Sequence, residues 1–326
     1  MPPLPIDEYH VGWLRAGTGP RSQRVMACLP AGVYGTVSAA TVAINMLRTF
    51  TGIRFGLMVG IGGGIPNSDK GVDIRLGDVV VSQPDGTHGG VVQFDPGKNR
   101  GDGKFERTGV LRPPPTVLLA ALSNIQSRHQ MYGNQISGTV SAMIQRWPRL
   151  AKAGYVHPGS GRDALYCGNI EGHEVGHEVG HEESHGCTQC QDGVVDREPR
   201  EDTSPEVHYG VIVSGNYLMK NAVVRDQLGR ELGAKCIEME AAGLMNDFPC
   251  IVIRGICDYA ESHKNDVWQE YAAATAAGFA TELLATVRPT EVRTVWCPQE
   301  GVLRWFRHSL RSPKTDLSSA MPIPET

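Results

Sequence analysis

Two carboxylates stand one residue apart at the end of an apolar run in "AKCIEMEAAGLM": Glu238 and Glu240, with Met239 between them. A third, Asp258, closes the run "CIVIRGICD". Acids in such positions suit three tasks. A carboxylate can accept from both hydroxyls of a vicinal diol, pass a proton to a leaving group, or cap the turn that follows. Ligands of a parallel α/β sheet bind beyond the carboxyl ends of its strands, so the first two tasks require only that these strands share a sheet and an end. A glycine-rich stretch, "GIGGGIP" from Gly60 to Pro66, also follows an apolar run. Gly62 and Gly63 let the backbone approach a ligand closely and aim N–H groups at an anion or hydroxyl; a tight strand-to-loop turn is the plainer use of the same residues. The stretch is not a dinucleotide fingerprint, because "NSDKGVDIRLGD" runs on as loop and strand rather than helix, and no GK[ST] makes it a P-loop.

A different chemistry is suggested by "EGHEVGHEVGHEESHGCTQCQDG", where His173, His177, His181 and His185 precede Cys187 and Cys190 in a CxxC. Tetrahedral zinc takes four such ligands; one CxxC supplies two, and His185 or Cys167 would have to complete the set. The alternative is a polar repeat that holds no metal. Each "HEVGH" unit contains a glycine and lacks helical periodicity, so a metalloprotease HExxH is discounted. No cofactor is required by any of these groups, and a zinc here would be structural.

The elements that must position the acids are read from periodicity. "RVMACLP" and "FGLMVG" are short apolar runs that predict buried strands, and "TVSAATVAINMLRTF" between them has helical spacing, giving a βαβ unit. "GDVVVSQ" predicts a strand and "PPPTVLLAALSNIQSRH" a helix opened by proline. The second half alternates: strand "YGVIVSG", helix "LMKNAVVRDQLGREL", strand "KCIEM", helix "EAAGLMND", strand "PCIVIRGIC", then an Ala-rich helix from about Val267 to Val287. Between the halves, from about Tyr155 to Val207, apolar periodicity vanishes, which predicts a flexible insertion. The tail after about Pro289 is expected to be loose apart from a short docked helix at "VLRWFRHSL".

The totals narrow the function classes. The chain has 326 residues, 40% hydrophobic and 20% charged, enough for a large core, and a net charge of -4 gives no basic footprint for nucleic acid. No apolar stretch reaches the roughly 20 residues that cross a bilayer, and the N-terminus lacks a secretory pattern, so a cytoplasmic protein is expected. The eight cysteines are scattered, and Cys236, Cys250 and Cys257 lie in apolar runs as reduced core residues.

Taken together, "GIGGGIP…IRLGDVVVS", "VIVSGNYLM", "CIEMEAAGLM" and "VIRGICDYA" resemble the purine and uridine phosphorylase superfamily, which includes the methylthioadenosine/adenosylhomocysteine nucleosidases. The likeness spans roughly residues 25 to 150 and 208 to 287 and looks closest to a branch of filamentous fungi, where such domains occur alone or head larger chains; no further module is read after this one. The resemblance implies an α/β fold, a three-layer αβα sandwich with a central mixed sheet, as a single domain over residues 1–288 that assembles as a homo-oligomer. It implies cleavage of the N-glycosidic bond of adenosine or a related purine nucleoside. By similarity Glu240 grips the ribose hydroxyls, Met239 packs on the sugar, Asp258 protonates the departing purine, and Asn216 and Tyr217 line the base. Gly62 and Gly63 approach the substrate, and Glu238 supports.

Hexameric phosphorylases of the family carry a phosphate-holding arginine immediately before the aspartate of the "GDVVVS" strand. Here that position is Gly77, with Arg75 two residues earlier, so water is the expected nucleophile. A phosphorylase, a nucleotide nucleosidase acting on ATP, and a non-catalytic nucleoside-binding module are the alternatives. The family's first strand has no match before "MPPLPIDEYHVGWLRAG", which leaves three readings of the water-activating carboxylate: activity is partly lost, the sequence is a shortened reading of its gene, or Asp7 or Glu8 substitutes.

Overall fold

The most apolar run of the chain becomes a strand paired along both of its edges. A computed structural model describes residues 9–14, 22–100, 105–166, 194–262 and 266–287. In chain order the strands are β1 (Tyr9–Leu14), β2 (Ser22–Ala27), β3 (Gly56–Gly64), β4 (Val79–Ser82), β5 (Val91–Gln93), β6 (Gly97–Asn99), β7 (Phe105–Arg107), β8 (Val207–Ser214), β9 (Ala234–Glu238) and β10 (Cys250–Asp258). The helices are α1 (Thr36–Thr49), α2 (Thr116–Tyr132), α3 (Ile136–Arg146), α4 (Arg149–Lys152), α5 (Ala222–Leu232) and α6 (Gln269–Thr286). Six strands form a mixed sheet in the order β4-β10-β3-β9-β8-β5. β10 runs parallel to β3, and β8 parallel to β9; β4 is antiparallel to β10, and β9 antiparallel to β3. β4 also pairs with the first half of β8, so β4, β10, β3, β9 and β8 close on themselves, while β5 takes the second half of β8.

Period-two alternation divides the sheet between two helical layers. Val79, Val81, Ile251 and Ile253 face one way, into a core with Leu118, Leu122 and Ile125 of α2, Ile136 and Val140 of α3, and Phe279 and Leu283 of α6. Val80, Cys250, Val252 and Ile256 face the other, toward Ala39 and Ala43 of α1 and Phe248. α5 is capped by the side chain of Asn221, which accepts from the backbone N–H groups of Val223 (2.9 Å) and Val224 (3.1 Å), and it packs Leu228 among Val211, Val213 and Ile237. The three-layer αβα architecture expected from the sequence is the one observed.

Two expected elements differ. The first predicted βαβ unit is absent: β2 pairs only with β1, antiparallel, in a separate two-stranded sheet. From Arg24 to Pro30 its residues alternate between half-buried and exposed, with Met26 and Cys28 exposed, which is the pattern of a ribbon and not of a strand buried on both faces. The helix expected over "EAAGLMND" is a single 3-10 turn, Ala241–Gly243. Its cause is Glu238, whose carboxylate accepts from the backbone N–H groups of Glu240 (3.1 Å) and Ala241 (3.0 Å) and bends the chain directly after β9.

The polar tract between the halves has described flanks. Tyr166 and Val194 form an antiparallel bridge, and Val195 N–H donates to the Leu165 carbonyl at 2.8 Å. From there Arg197 and Arg200 reach Asp163, Asp73 and Asp78. Residues 167–193, with the His/Cys repeat, and the tail from 288 onward with "VLRWFRHSL" lie outside the described residues.

Candidate active site

β9 and β10 deliver their acids to opposite sides of the end of β3. Gly63 pairs with Ile237 of β9 on one edge and with Asp258 of β10 on the other, and the β10 register slips between Ile256 and Asp258. A Cβ on Gly63 would sit 2.8 Å from Asp258 Oδ1 and 2.9 Å from the Ala260 methyl, so glycine is what allows the carboxylate to lie against this backbone. A Cβ on Gly62 would meet Cys236 Sγ at 2.6 Å. Asp258 Oδ1 accepts from Ala260 N–H at 2.8 Å, and the Cys257 thiol donates to Oδ2 at 3.4 Å.

The two glutamates of the opening motif have different surroundings. The Glu238 side chain is 1% exposed and paired with Arg254 as well as with the two backbone amides. The Glu240 side chain is 13% exposed; its Oε2 accepts from Arg254 Nη2 at 3.1 Å and its Oε1 from Gly35 N–H at 3.4 Å. Met239 is half-buried between them. Arg254, in the middle of β10, therefore joins both carboxylates, and its Nη1 also donates to the Ile61 carbonyl at 3.3 Å. Burial alone would lower its pKa; Glu238 and Glu240 outweigh that and hold it above the usual arginine value, so it stays cationic. Among the described residues its buried Nε has no hydrogen-bond partner.

The remaining wall comes from the start of α1 and the end of β8. Asn216 Oδ1 accepts from the Thr36 hydroxyl at 2.7 Å, while its backbone N–H and Nδ2 donate to Asp95 Oδ2 at 2.8 and 3.0 Å. Tyr217 is 52% exposed and stands edge-on to Phe94, ring centroids 5.0 Å apart. Gly35, Asn216 and Glu240 are thus linked around one mouth, and Val33, Tyr34, Val37 and Leu218 are exposed beside it.

Gly77 is fixed by its own geometry. Its φ is +90°, and a Cβ there would lie 2.7 Å from Tyr271 Cε1 and 3.3 Å from Trp268. Arg75 turns elsewhere: Nε donates to Asp73 at 2.8 Å and Nη2 to the Glu198 carbonyl. A cavity of about 320 Å³ beside Gly77 is walled by Arg75, His157, Arg197, Arg200, Trp268 and Tyr271, and neither Glu240 nor Asp258 lines it. Under it lies Asp78, 1% exposed, which accepts from Arg200 at 2.7 Å and pairs with His208 at 2.9 Å. Burial would raise the Asp78 pKa, but the hydrogen bonds from His208 and Arg200 outweigh it and hold the carboxyl below the usual range.

Residues 155–287 match the model of the phosphorylase superfamily. A nucleotide-binding leucine-rich repeat (NLR)-like protein of the fungus Hyaloscypha variabilis is 45% identical over 269 residues, 82% of this chain and 25% of its own length. The chain therefore spans a quarter of that relative. Among solved structures it is similar in fold to a 5'-methylthioadenosine/S-adenosylhomocysteine nucleosidase from Helicobacter pylori (15% identity, 85% of this chain and 83% of that one, TM-score 0.49). A futalosine hydrolase from the same organism aligns at 16% identity over 77% of this chain and 76% of that one, TM-score 0.42.

Glu238, Met239, Glu240, Asp258, Gly62, Gly63, Asn216 and Tyr217 were all named from the sequence, and the matched segment holds six of them, from Asn216 to Asp258. Arg254, Asp95 and Gly35 were not. Arg254 left a signal: an arginine inside "CIVIRGIC" must find a carboxylate, and two acids waited at the end of another apolar run. Asp95 and Gly35 left none, because only the fold brings them to Asn216 and Glu240. Asp7, Glu8, His185, Cys187 and Cys190 lie outside the described residues, as do their proposed roles. Among the described residues no helix is long and apolar enough to cross a membrane.

Proposed function

We propose that the protein is a purine nucleosidase that hydrolyses the N-glycosidic bond of adenosine or a related purine nucleoside to free base and ribose. The observation that carries this reading is the placement of Asp258 and Ile237 on opposite edges of Gly63, with Arg254 joining β10 to Glu240. A nucleoside needs both ends of such a site. Glu240 retains lone pairs on both oxygens and serves as acceptor for the ribose 2′ and 3′ hydroxyls. Asp258 gives a proton to the purine as the glycosidic electron pair moves onto the base, and the carboxylate of Glu240 offsets the positive charge that develops on the sugar. Arg254 holds Glu240 in place through the hydrogen bond from its Nη2 to Oε2.

Water as the nucleophile is supported by Gly77: its positive φ and the ring of Tyr271 leave no room for an arginine there, and Arg75 is committed to Asp73 and Glu198. A second copy of the chain is the expected partner, since Tyr34 and Val37 (71% and 79% exposed) crowd the rim beside Gly35. No cofactor takes part.

The test is product analysis. Adenosine in phosphate-free buffer should yield adenine and ribose, and Asp258→Asn should abolish release. Ribose 1-phosphate formed only with phosphate would make the protein a phosphorylase. ATP is run alongside, because the relative from Hyaloscypha variabilis is named for nucleotide binding; faster release from ATP than from adenosine would reassign the substrate to nucleotides. No release from any of them, with purine binding intact, would make it a binding module.

A further inference from the structure

The turn that carries Asp258 is held from outside the sheet by residues that flank the polar tract. Ala260, two residues on, has φ +52°, and it alone among the described non-glycine residues has a positive φ. That conformation costs about 1 kcal/mol or more and persists only where neighbours enforce it. It also directs the Ala260 N–H onto Asp258 Oδ1. Tyr259 between them is 1% exposed. Its hydroxyl donates to Asp163 Oδ1 and accepts from Arg197 Nη1 at 3.0 Å; Arg197 pairs with Asp163 at 3.0 Å, donates to the Ile74 carbonyl at 3.2 Å, and lies over the Tyr259 ring at 5.3 Å. The Tyr259 carbonyl in turn accepts from buried Arg225 at 3.1 Å, which also bonds the Tyr166 carbonyl. None of Asp163, Arg197 and Tyr259 lies within hydrogen-bond reach of Glu240 or of the Glu238–Arg254 pair.

We propose that Asp163 and Arg197, acting through Tyr259, are positioning residues for Asp258. The ion pair grips the ring and hydroxyl of the residue next to the acid, fixes the turn with Ala260 left-handed, and so fixes the direction in which the Asp258 carboxyl presents its proton. A general acid misplaced by about 1 Å loses on the order of a hundredfold in rate, whereas ground-state contacts to the sugar through Glu240 are untouched. The signature is therefore a loss in kcat with KM retained. The role in turnover rests on the nucleosidase reading above; the hold on the turn does not.

The experiment compares the full chain with Arg197→Met, Tyr259→Phe and the surface control Arg100→Met, whose native partner is Glu106. Amide hydrogen exchange over residues 257–262 and steady-state release of base are measured well below each protein's Tm. Faster exchange at Ala260 in Arg197→Met and, more weakly, in Tyr259→Phe, with kcat down about tenfold or more and KM within about twofold, is the expected result. Unchanged exchange at Ala260 in both variants overturns the proposal, as does a loss expressed in KM alone. Should Arg197→Met fail to fold, Tyr259→Phe keeps the comparison, because it removes one hydroxyl and leaves the ring. If the native chain releases no base, the nucleosidase reading fails while the exchange comparison still decides whether the ion pair holds the turn.

Discussion

Exchanging Glu238 and Glu240 one at a time for glutamine separates support from chemistry. Glu238 is enclosed, accepts from two backbone amides and pairs with Arg254, itself 5% exposed. Removing one partner of a buried pair costs about 3–5 kcal/mol, and Arg254 still has Glu240 at 3.1 Å, so Glu238→Gln should fall near the lower end, about 3 kcal/mol. For a domain of this size, 2–4 °C of Tm accompanies each kcal/mol, so the Tm should drop about 6–12 °C. Glu240 is more open and makes one close ionic hydrogen bond, worth about 1.5 kcal/mol. Glu240→Gln should therefore stay within a few degrees of the parent in calorimetry yet lose about a hundredfold or more in base release, the scale on which removing one stabilising group from a reacting centre acts. Equal Tm losses in the two variants, or a Glu238→Gln protein with the parent's Tm, would refute the division of labour.

Other consequences are open to measurement. Gly77→Arg should not create phosphate dependence: its φ of +90° and the 2.7 Å approach of Tyr271 predict a destabilised protein, by about 2 kcal/mol or more in urea titration, with base release indifferent to phosphate. Asp78, whose carboxyl is held below its usual range, contributes stability that is present above its unfolded pKa of about 4 and lost as pH falls through its folded value, so Asp78→Asn should be less stable at pH 7 and show a flatter Tm below about pH 4. Burial raises the Glu261 carboxyl to about 7, with Arg225 opposing the rise. A raised acid favours the fold below its unfolded pKa and loses that contribution as pH climbs through the folded one, so Glu261→Gln should flatten the decline of Tm between about pH 4.5 and 7.

What the sequence made legible was whatever depends on periodicity. α2 carries Leu118, Leu122 and Ile125 at helical spacing, β10 is apolar apart from Arg254 and Asp258 because it is covered on both faces, and both are placed by the sequence alone. The turn after β9 reads as a helix in sequence, since "EAAGLM" is a good helical string; a side-chain carboxylate that captures two backbone amides overrides propensity and leaves no periodic trace. β2 reads as a strand of the main sheet because a run of six residues does not announce its partner. In the candidate site, Glu240 and Asp258 stood out by position in their motifs. Arg197 and Asp163, at the edges of a tract read as flexible from Tyr155 to Val207, did not, because ion pairs between segments tens of residues apart have no local signature.

The bridge between Tyr166 and Val194 has a further meaning for this chain. It sets the tract's two described ends side by side, with the Val195 N–H on the Leu165 carbonyl. Closing such a loop costs only about 0.6 kcal/mol for each doubling of its length. A change in the number of residues between the two ends is therefore expected to leave their separation unchanged. An affinity handle inserted between Tyr166 and Val194 should leave the Tm of the frame nearly unchanged, because the bridge holds both ends.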